Sequence, residues 1–573
     1  MRDTARGLRN IAILIALALC LPAGCAGLPG SPHGAASDSL PDSDGMSVEG
    51  VTGKPNTPGS QSPAEGSWGP GNPGGSGNPG NSGNSGSSAF PGGAGKEAPF
   101  TAKPVVIVAV PEEPSVLDPH FAADDSCRLI TNNIYEPLFL FEGAVPEPVP
   151  CLAAGYRLLD DLRWEITIRE GVYFHDGSVF TADDAVYSVN RAVDPAFNVE
   201  PFYDLSTIVG AERTGEQTLV ITTRYPDPSL PRRLTRLDMV SKAYTQSKAS
   251  GPLTKTANGT GPYMLDHWTA GDEIVLVRFR GYWGGQPAQD VAVFRFIREP
   301  AARGEAVLSG EADIAAALSP EDAVGMPQAL SAPGTGILWI RFDQRSGAMV
   351  SQAMRQAANY AVGSDELARE LFLDYAAPCE GQIGRPGFFG YSGLVSGAPR
   401  DIRKAGELLE EAGYAGEPLR LLAESGSLQC KESLAAAVAG QLREAGFNVE
   451  LDFAERKVYL DALFDPRKAP DMLLSYTAND LYDMGGVYSM LVHKDGFQST
   501  VDNAGLNVLI EAARTEMDAA KRTGLYDELA RKLYEDPFAI YLLSLEDIYG
   551  AAADLDWAPR QDGRILIAEM RFL

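Results

Sequence analysis

The chain has 573 residues, with 48 Lys plus Arg against 76 Asp plus Glu and a formal net charge of −28. A chain this acidic repels polyanions, which argues against nucleic acid and anionic lipid surfaces as partners. The length outside the low-complexity N-terminal part fits about three domains.

Arg2, Arg6 and Arg9 precede an apolar run from Ile11 to Leu21. A basic start and a run too short to span a bilayer read as a signal peptide over residues 1–24. Ala23-Gly24-Cys25 has the small-residue-then-Cys form of a lipoprotein cleavage site, with Pro22 where Leu is usual and Leu21 one further back. Cys25 is therefore the expected lipidation site; the alternative is an ordinary secretory leader with an unmodified Cys25. Cys20 fits less well, because bulky Leu19 precedes it. Removing residues 1–24, with three Arg and one Asp, takes the charge from −28 to −30.

Residues 25–100 read as a disordered tether. From Gly69 to Ser88 only Gly, Pro, Asn and Ser occur, so this part buries too little to offset its ordering entropy. As a Gly-rich coil of about 75 residues its r.m.s. reach is roughly 45–50 Å. Four cysteines follow, Cys127, Cys151, Cys379 and Cys430. An extracytoplasmic compartment permits disulfides, and four Cys allow three pairings or four thiols.

Val105–Val110 is a continuous apolar run suited to a strand covered on both faces. Trp164, Ile166 and Ile168 alternate with Glu165, Thr167 and Arg169, a strand with one buried face. His175-Asp176-Gly177 makes a tight turn. Thr181 with Asp184 makes a capping box, and the helix it starts carries Val186 and Val189 on one face. Asn258-Gly259-Thr260-Gly261-Pro262-Tyr263 is Gly-rich but fits neither G-x-G-x-x-G nor the P-loop. Ile274–Phe279 and Leu338–Phe342 read as strands. Met354, Ala358 and Ala361 share a helical face. Ile402, Ala405, Leu408, Leu409 and Ala412 form another stripe, ended by Gly413. Leu434, Val438 and Leu442 give a helix, and Phe447, Val449, Leu451 and Phe453 then alternate as a strand. Helix followed at once by strand marks an α/β protein.

Several of these stretches carry wording beyond local structure. "G-V-Y-F-H-D-G-S-V-F-T-A-D-D-A-V-Y-S" (171–188), "L-D-P" (117–119) with "I-Y-E-P-L" (134–138), "G-T-G-P-Y" (259–263), "Y-W-G-G" (282–285), "S-G-E-A-D-I" (309–314) and "K-A-G-E-L-L-E-E-A-G-Y" (404–414) together resemble the family 5 extracellular solute-binding proteins, the peptide- or nickel-type receptors of ABC importers. The resemblance covers about residues 104–573. It implies a periplasmic-binding-protein-like α/β fold, two lobes with a hinge and an extra inserted domain. The expected partition is residues 101–150, 259–339 and 537–573 for the first domain, 151–258 for the inserted one and 340–536 for the third. Within that partition Cys127–Cys151 and Cys379–Cys430 are the pairings that stay inside one lobe.

The resemblance also implies ligand-lining residues. Phe121–Cys127, with Asp124, Asp125 and Ser126, corresponds to a loop that lines the cleft in the family. Asp471–Met484 holds Tyr476, Thr477, Asn479, Asp480 and Asp483 where the family has "W-x-A-D-Y-x-D-P", whose first Asp pairs with a peptide's α-ammonium in peptide-binding members. Here an ungapped match puts Asn479 on that Asp and Tyr476 on the Trp; a one-residue insertion puts Asp480 and Asp483 on the two Asp positions. Asp480 and Asp483 also read as solvated loop residues. If Asp124, Asp125, Asp480 and Asp483 line one cleft, the expected ligand is positively charged.

The chain shows no G-x-S-x-G, H-E-x-x-H or C-x-x-C, and its five His residues are scattered. No catalytic residue, metal ligand or cofactor is expected. The implied function is a lipid-anchored, extracytoplasmic and monomeric substrate-binding component of an ABC importer, for peptides, with a permease and an ATPase as partners. The alternatives are a nickel complex, glycan or opine as ligand, and a surface receptor that senses without transport.

Overall fold

Continuous apolar runs and period-2 alternation build a large and a small sheet, beside two two-stranded ribbons. In this computed structural model residues 103–121, 125–143, 146–196, 204–248, 253–427 and 432–573 are described. The leader, Cys25, the tether, Asp124 and Cys430 lie outside them.

The strands that matter here are β1 (Val105–Val110), β2 (Ala153–Asp160), β3 (Arg163–Ile168), β4 (Ile208–Arg213), β5 (Thr218–Thr223), β6 (Tyr263–Thr269), β7 (Glu273–Arg278), β8 (Val291–Phe296), β9 (Ile314–Ala315), β10 (Gln328–Phe342), β11 (Leu419–Glu424), β12 (Val449–Ala454), β13 (Met472–Ala478) and β14 (Ala539–Ala551). The large sheet runs β12-β11-β13-β10-β14-β9-β1-β8-β7-β6, with Ala376–Pro378 also paired to β14. The small sheet runs β2-β3-β5-β4.

Each region has its own core. Trp164, Ile166 and Ile168 of β3 pack on the helix Ala182–Val193 and on Leu230, Leu234 and Leu237. Val106, Val108 and Val110 pack with Ile274, Phe294 and Tyr549. Leu338, Ile340 and Phe342 pack with Met354, Ala358, Leu408, Leu421, Leu434 and Leu542. At about 1.5–3 kcal/mol per fully buried Val, Leu, Ile or Phe, these clusters are what hold the strands together. The Thr181 capping box forms as the sequence predicts, with Thr181 N donating to Asp184 Oδ2 at 3.0 Å.

β10 and β14 are the longest strands, 15 and 13 residues, and they pair with each other. They belong to two cores at once: Leu330 and Tyr549 lie with the β1 cluster, Leu338 and Leu542 with the β11 cluster. Between them the register shifts from Pro333↔Glu546 to Ile337↔Ser544. The apolar run Leu338–Phe342 is thus only the end of a strand that starts at Gln328. Pro333-Gly334-Thr335-Gly336 makes the irregularity, as Pro and Gly inside a strand do.

Three details differ from expectation. β12 is a sheet edge and Phe453 is 43% exposed on it, while Phe447 precedes the strand and is buried. Ile402 opens the helix Ile402–Glu411 at 36% exposure. Cys127 and Cys151 stand as separate buried thiols instead of a bridge: Cys127 Sγ donates to the Val116 carbonyl at 3.0 Å, and Cys151 Sγ lies 4.0 Å from Glu136 Oε1. Cys379 is also a buried thiol, and burial pushes it up to about 12.

The "G-T-G-P-Y" segment has a steric reason. It runs against residues 133–135, with Gly261 N donating to the Ile134 carbonyl and Tyr263 N to the Asn133 carbonyl. A Cβ on Gly259 would sit 1.9 Å from the Ile134 oxygen. The glycines permit a close backbone approach and cradle no phosphate.

Candidate ligand site

Of the eight ligand-binding candidates, five lie on one stretch. Tyr476 and Thr477 end β13, paired with Leu338 and Ile337 of β10; Asn479 and Asp480 form the turn, and Asp483 caps the helix Met484–Leu491. Tyr476 is 39% exposed, and its ring covers Gly336, where a Cβ would meet it at 2.6 Å. Thr477 is buried.

Asp483 is spent inside the protein. Arg522 grips it twofold, Nη1 on Oδ2 at 2.8 Å and Nη2 on Oδ1 at 2.9 Å. Ser229 Oγ donates to Oδ2 and Gly485 N to Oδ1, both at 2.8 Å. Burial alone would raise this carboxyl, but Arg522, Gly485 and Arg232 outweigh it and hold it below the usual carboxylate range. Asp480 is spent too: Thr335 Oγ1 donates to Oδ1 at 2.7 Å, and Arg236 Nη2 lies 3.0 Å from Oδ2. Asn479 is 4% exposed. Its backbone N donates to the Thr335 carbonyl, its Oδ1 accepts weakly from Asp483 N at 3.4 Å, and its Nδ2 has no partner.

The partners come from far away in sequence. Ser229, Arg232 and Arg236 belong to the segment that packs on the small-sheet core. Arg232 Nη1 reaches the carbonyls of Pro146 at 2.9 Å and Tyr482 at 3.3 Å, and its Nη2 pairs with Glu147. A second contact between the same regions sets Arg514 over the Tyr225 ring at 4.6 Å. Arg385 completes the cluster: Nη2 donates to the Pro333 carbonyl at 2.8 Å and to Gln561 Oε1 at 3.3 Å. The Tyr482 hydroxyl donates to the Gln561 carbonyl. These arginines and Thr335 were missed in the sequence. One signal was present: Arg232, Arg233 and Arg236 crowd five positions of a strongly acidic chain.

The first candidate loop is placed differently. Asp124 is outside the described residues, and Asp125 opens the helix Asp125–Thr131. Ser126 is buried, with its Oγ accepting from Glu112 N at 3.1 Å. An acidic cleft of four carboxylates is not what this turn presents, since Asp480 and Asp483 both face arginine.

Two of the histidines, His175 and His120, are held in buried structural contacts. His175 Nδ1 accepts from Gly259 N at 3.3 Å and Nε2 donates to the Gly261 carbonyl at 3.0 Å, and burial lowers its pKa to about 4. His120 is buried beside the Asp118–Arg191 ion pair, whose shorter contact is 2.6 Å, and burial lowers it likewise to about 4. Among the described residues no group of three or more His, Cys, Asp or Glu could hold a metal ion, and no helix is long and apolar enough to cross a membrane.

A ten-strand path shared by two cores through β10 and β14, with a smaller sheet whose neighbouring Ser229–Arg236 segment meets the 479–483 turn, fits the class of periplasmic-binding-protein-like α/β proteins. The model of the bacterial extracellular solute-binding proteins, family 5, matches residues 147–499, and the chain belongs to that family. It is similar to the glutathione-binding protein GsiB of Escherichia coli O1:K1 / APEC, 26% identical over 446 residues, covering 74% of this chain and 86% of that protein. Two solved structures share the fold across 82% of this chain. One is the ABC transporter substrate-binding protein CtaP of Listeria monocytogenes, with TM-score 0.73, 21% identity and 99% of its chain covered. The other is the periplasmic binding protein DppA of Helicobacter pylori in complex with the peptide STSA, with TM-score 0.66, 20% identity and 98% covered. The chain is accordingly a solute-binding protein of an ABC system, and not an enzyme.

Proposed function

We propose that this chain captures extracytoplasmic peptides in the cleft between its lobes and delivers them to an ABC permease. The lobes would be residues 101–150, 259–339 and 537–573, carrying the inserted 151–258, and residues 340–536. The observation that carries the reading is the meeting of the Ser229–Arg236 segment with the 479–483 turn at the β10 irregularity. That is where two bodies closing about β10 and β14 would enclose a ligand. The GsiB relative is named for binding glutathione, and the DppA neighbour holds the peptide STSA. Cys25 would carry the lipid, residues 25–100 would hold the monomeric receptor off the membrane, and an ATPase would drive the permease.

The test is mass spectrometry of what co-purifies with the protein, released by denaturation. A set of short peptides supports the reading. A single non-peptide solute, or a metal chelate, would refute peptide capture and leave the family untouched.

A further inference from the structure

Three chain segments meet within Pro333–Thr335. Asn479 N donates to the Thr335 carbonyl, Thr335 Oγ1 donates to Asp480, Asp480 holds Arg236, and Arg385 Nη2 donates to the Pro333 carbonyl. The leftover valences there are all of one kind. Asn479 Nδ2 and Arg385 Nε are buried atoms without a hydrogen-bond partner, and both are N–H donors, while Arg236 Nε lies 3.5 Å from Asp204 Oδ2. The unpartnered acceptor nearest in sequence, Asp238 Oδ1, sits where Asp238 bridges Pro137 and takes His120 Nε2 on its carbonyl.

An ammonium needs acceptors. Asp480 and Asp483 are committed to Arg236 and Arg522, and Asn479 offers the site one weakly used oxygen and an idle NH2. A buried donor left unmade costs about 1–3 kcal/mol, so the two together favour a ligand that satisfies them. One of the two is on the Arg385 guanidinium, which suits a carboxylate.

We infer that the ligand group seated against Asn479 and the Pro333–Thr335 irregularity is a carboxylate or comparable anionic acceptor, and that the site selects against a free α-ammonium there. This rests on the peptide reading above and deepens it: the preferred peptides are acidic or amine-blocked at the end that meets Asn479. Arg236 sets the specificity by neutralising Asp480, and Arg385 by supplying charge beside the irregularity.

The experiment offers the full-length protein a randomised tetrapeptide library in three forms, with a free N-terminal amine, N-acetylated and N-succinylated. Retained peptides are counted by mass spectrometry and the affinities of the best pair measured by calorimetry. The succinylated form should bind about tenfold tighter than the free amine, the scale of one charge-assisted hydrogen bond. Asn479→Asp should erase or invert that preference, and Arg385→Gln, checked by its melting curve, should reduce it. Equal or tighter binding of the free amine overturns the inference and leaves peptide capture standing. Retention of no peptide in any form overturns both.

Discussion

Replacing Asp483 by Ala separates a structural carboxylate from a ligand-binding one. Asp483 and Arg522 have side-chain exposures of 2% and 5%, so the substitution strands a guanidinium in the interior. It also strips the acceptor from Ser229 Oγ, Gly485 N and the Tyr526 hydroxyl. Breaking one side of such a buried pair costs about 3–5 kcal/mol. For about 470 folded residues at roughly 2.1 cal/mol/K each, the unfolding entropy is about 1 kcal/mol/K, so the melting temperature should fall by about 3–5 °C. The control is Asp480→Ala. Its carboxylate is 33% exposed and its Arg236 partner 18%, and exposed pairs contribute about 1 kcal/mol or less, so the shift should stay near 1 °C. The assay is differential scanning calorimetry of ligand-free protein. If D483A melts no earlier than D480A, the assignment of Asp483 as an internal tie is wrong, and its carboxylate is there for a ligand.

Two further outcomes concern the passage between the β1 core and the small sheet. Glu136 is buried and takes hydrogen bonds from Thr260 Oγ1 at 2.8 Å, Trp283 Nε1 at 2.9 Å and Tyr282 OH at 2.9 Å. Burial raises its pKa to about 7 despite those donors. A raised carboxyl contributes stability that is complete below its unfolded value near 4.5 and lost as the pH climbs through 7, here about 3 kcal/mol in all. The melting temperature should therefore decline between pH 5 and 8, and Glu136→Gln should flatten that slope; an unchanged slope in the variant would discard the assignment. Gly259→Ala forces the Ile134 carbonyl to move, and should lower stability by several kcal/mol or block folding. A wild-type melting curve for Gly259→Ala would show that the close approach is not required.

Local grammar was legible in the sequence and long-range pairing was not. The strand, turn and capped helix of 163–193 could be read residue by residue, because alternation, a Gly with φ of 84° at 177 and the Thr181–Asp184 spacing each act within four residues. The turn at 479–483 could be marked as a place of interest but not interpreted. What decides its chemistry is Arg522, 39 residues later, and Ser229, 254 residues earlier. A carboxylate looks the same in sequence whether it faces water, ligand or guanidinium. Asn479 was read by what it lacks, a charge; the structure adds what it has, an idle donor. The cysteines were paired by lobe membership, which says nothing of Sγ positions. The irregularity in β10 was spelled out as Pro-Gly-Thr-Gly, yet it was hidden because only the apolar end of the strand was taken as strand.

The paired β10 and β14 also limit how the protein can move. A ribbon held in register along most of its length cannot slip by one residue without turning every side chain to the opposite face, and Leu338 and Leu542 are fully buried on theirs. Translation along the ribbon is thereby removed, and so is independent sliding of either half. What is left is flexing where the ladder is broken, chiefly at Gly334, Thr335 and Gly336, the three residues unpaired with β14, with a smaller shift between Leu338 and Trp339. Bending there would change one angle between the two halves of the sheet. On the function proposed above, occupancy at the Asn479 turn would set that angle, and a membrane partner touching either half would read the same variable.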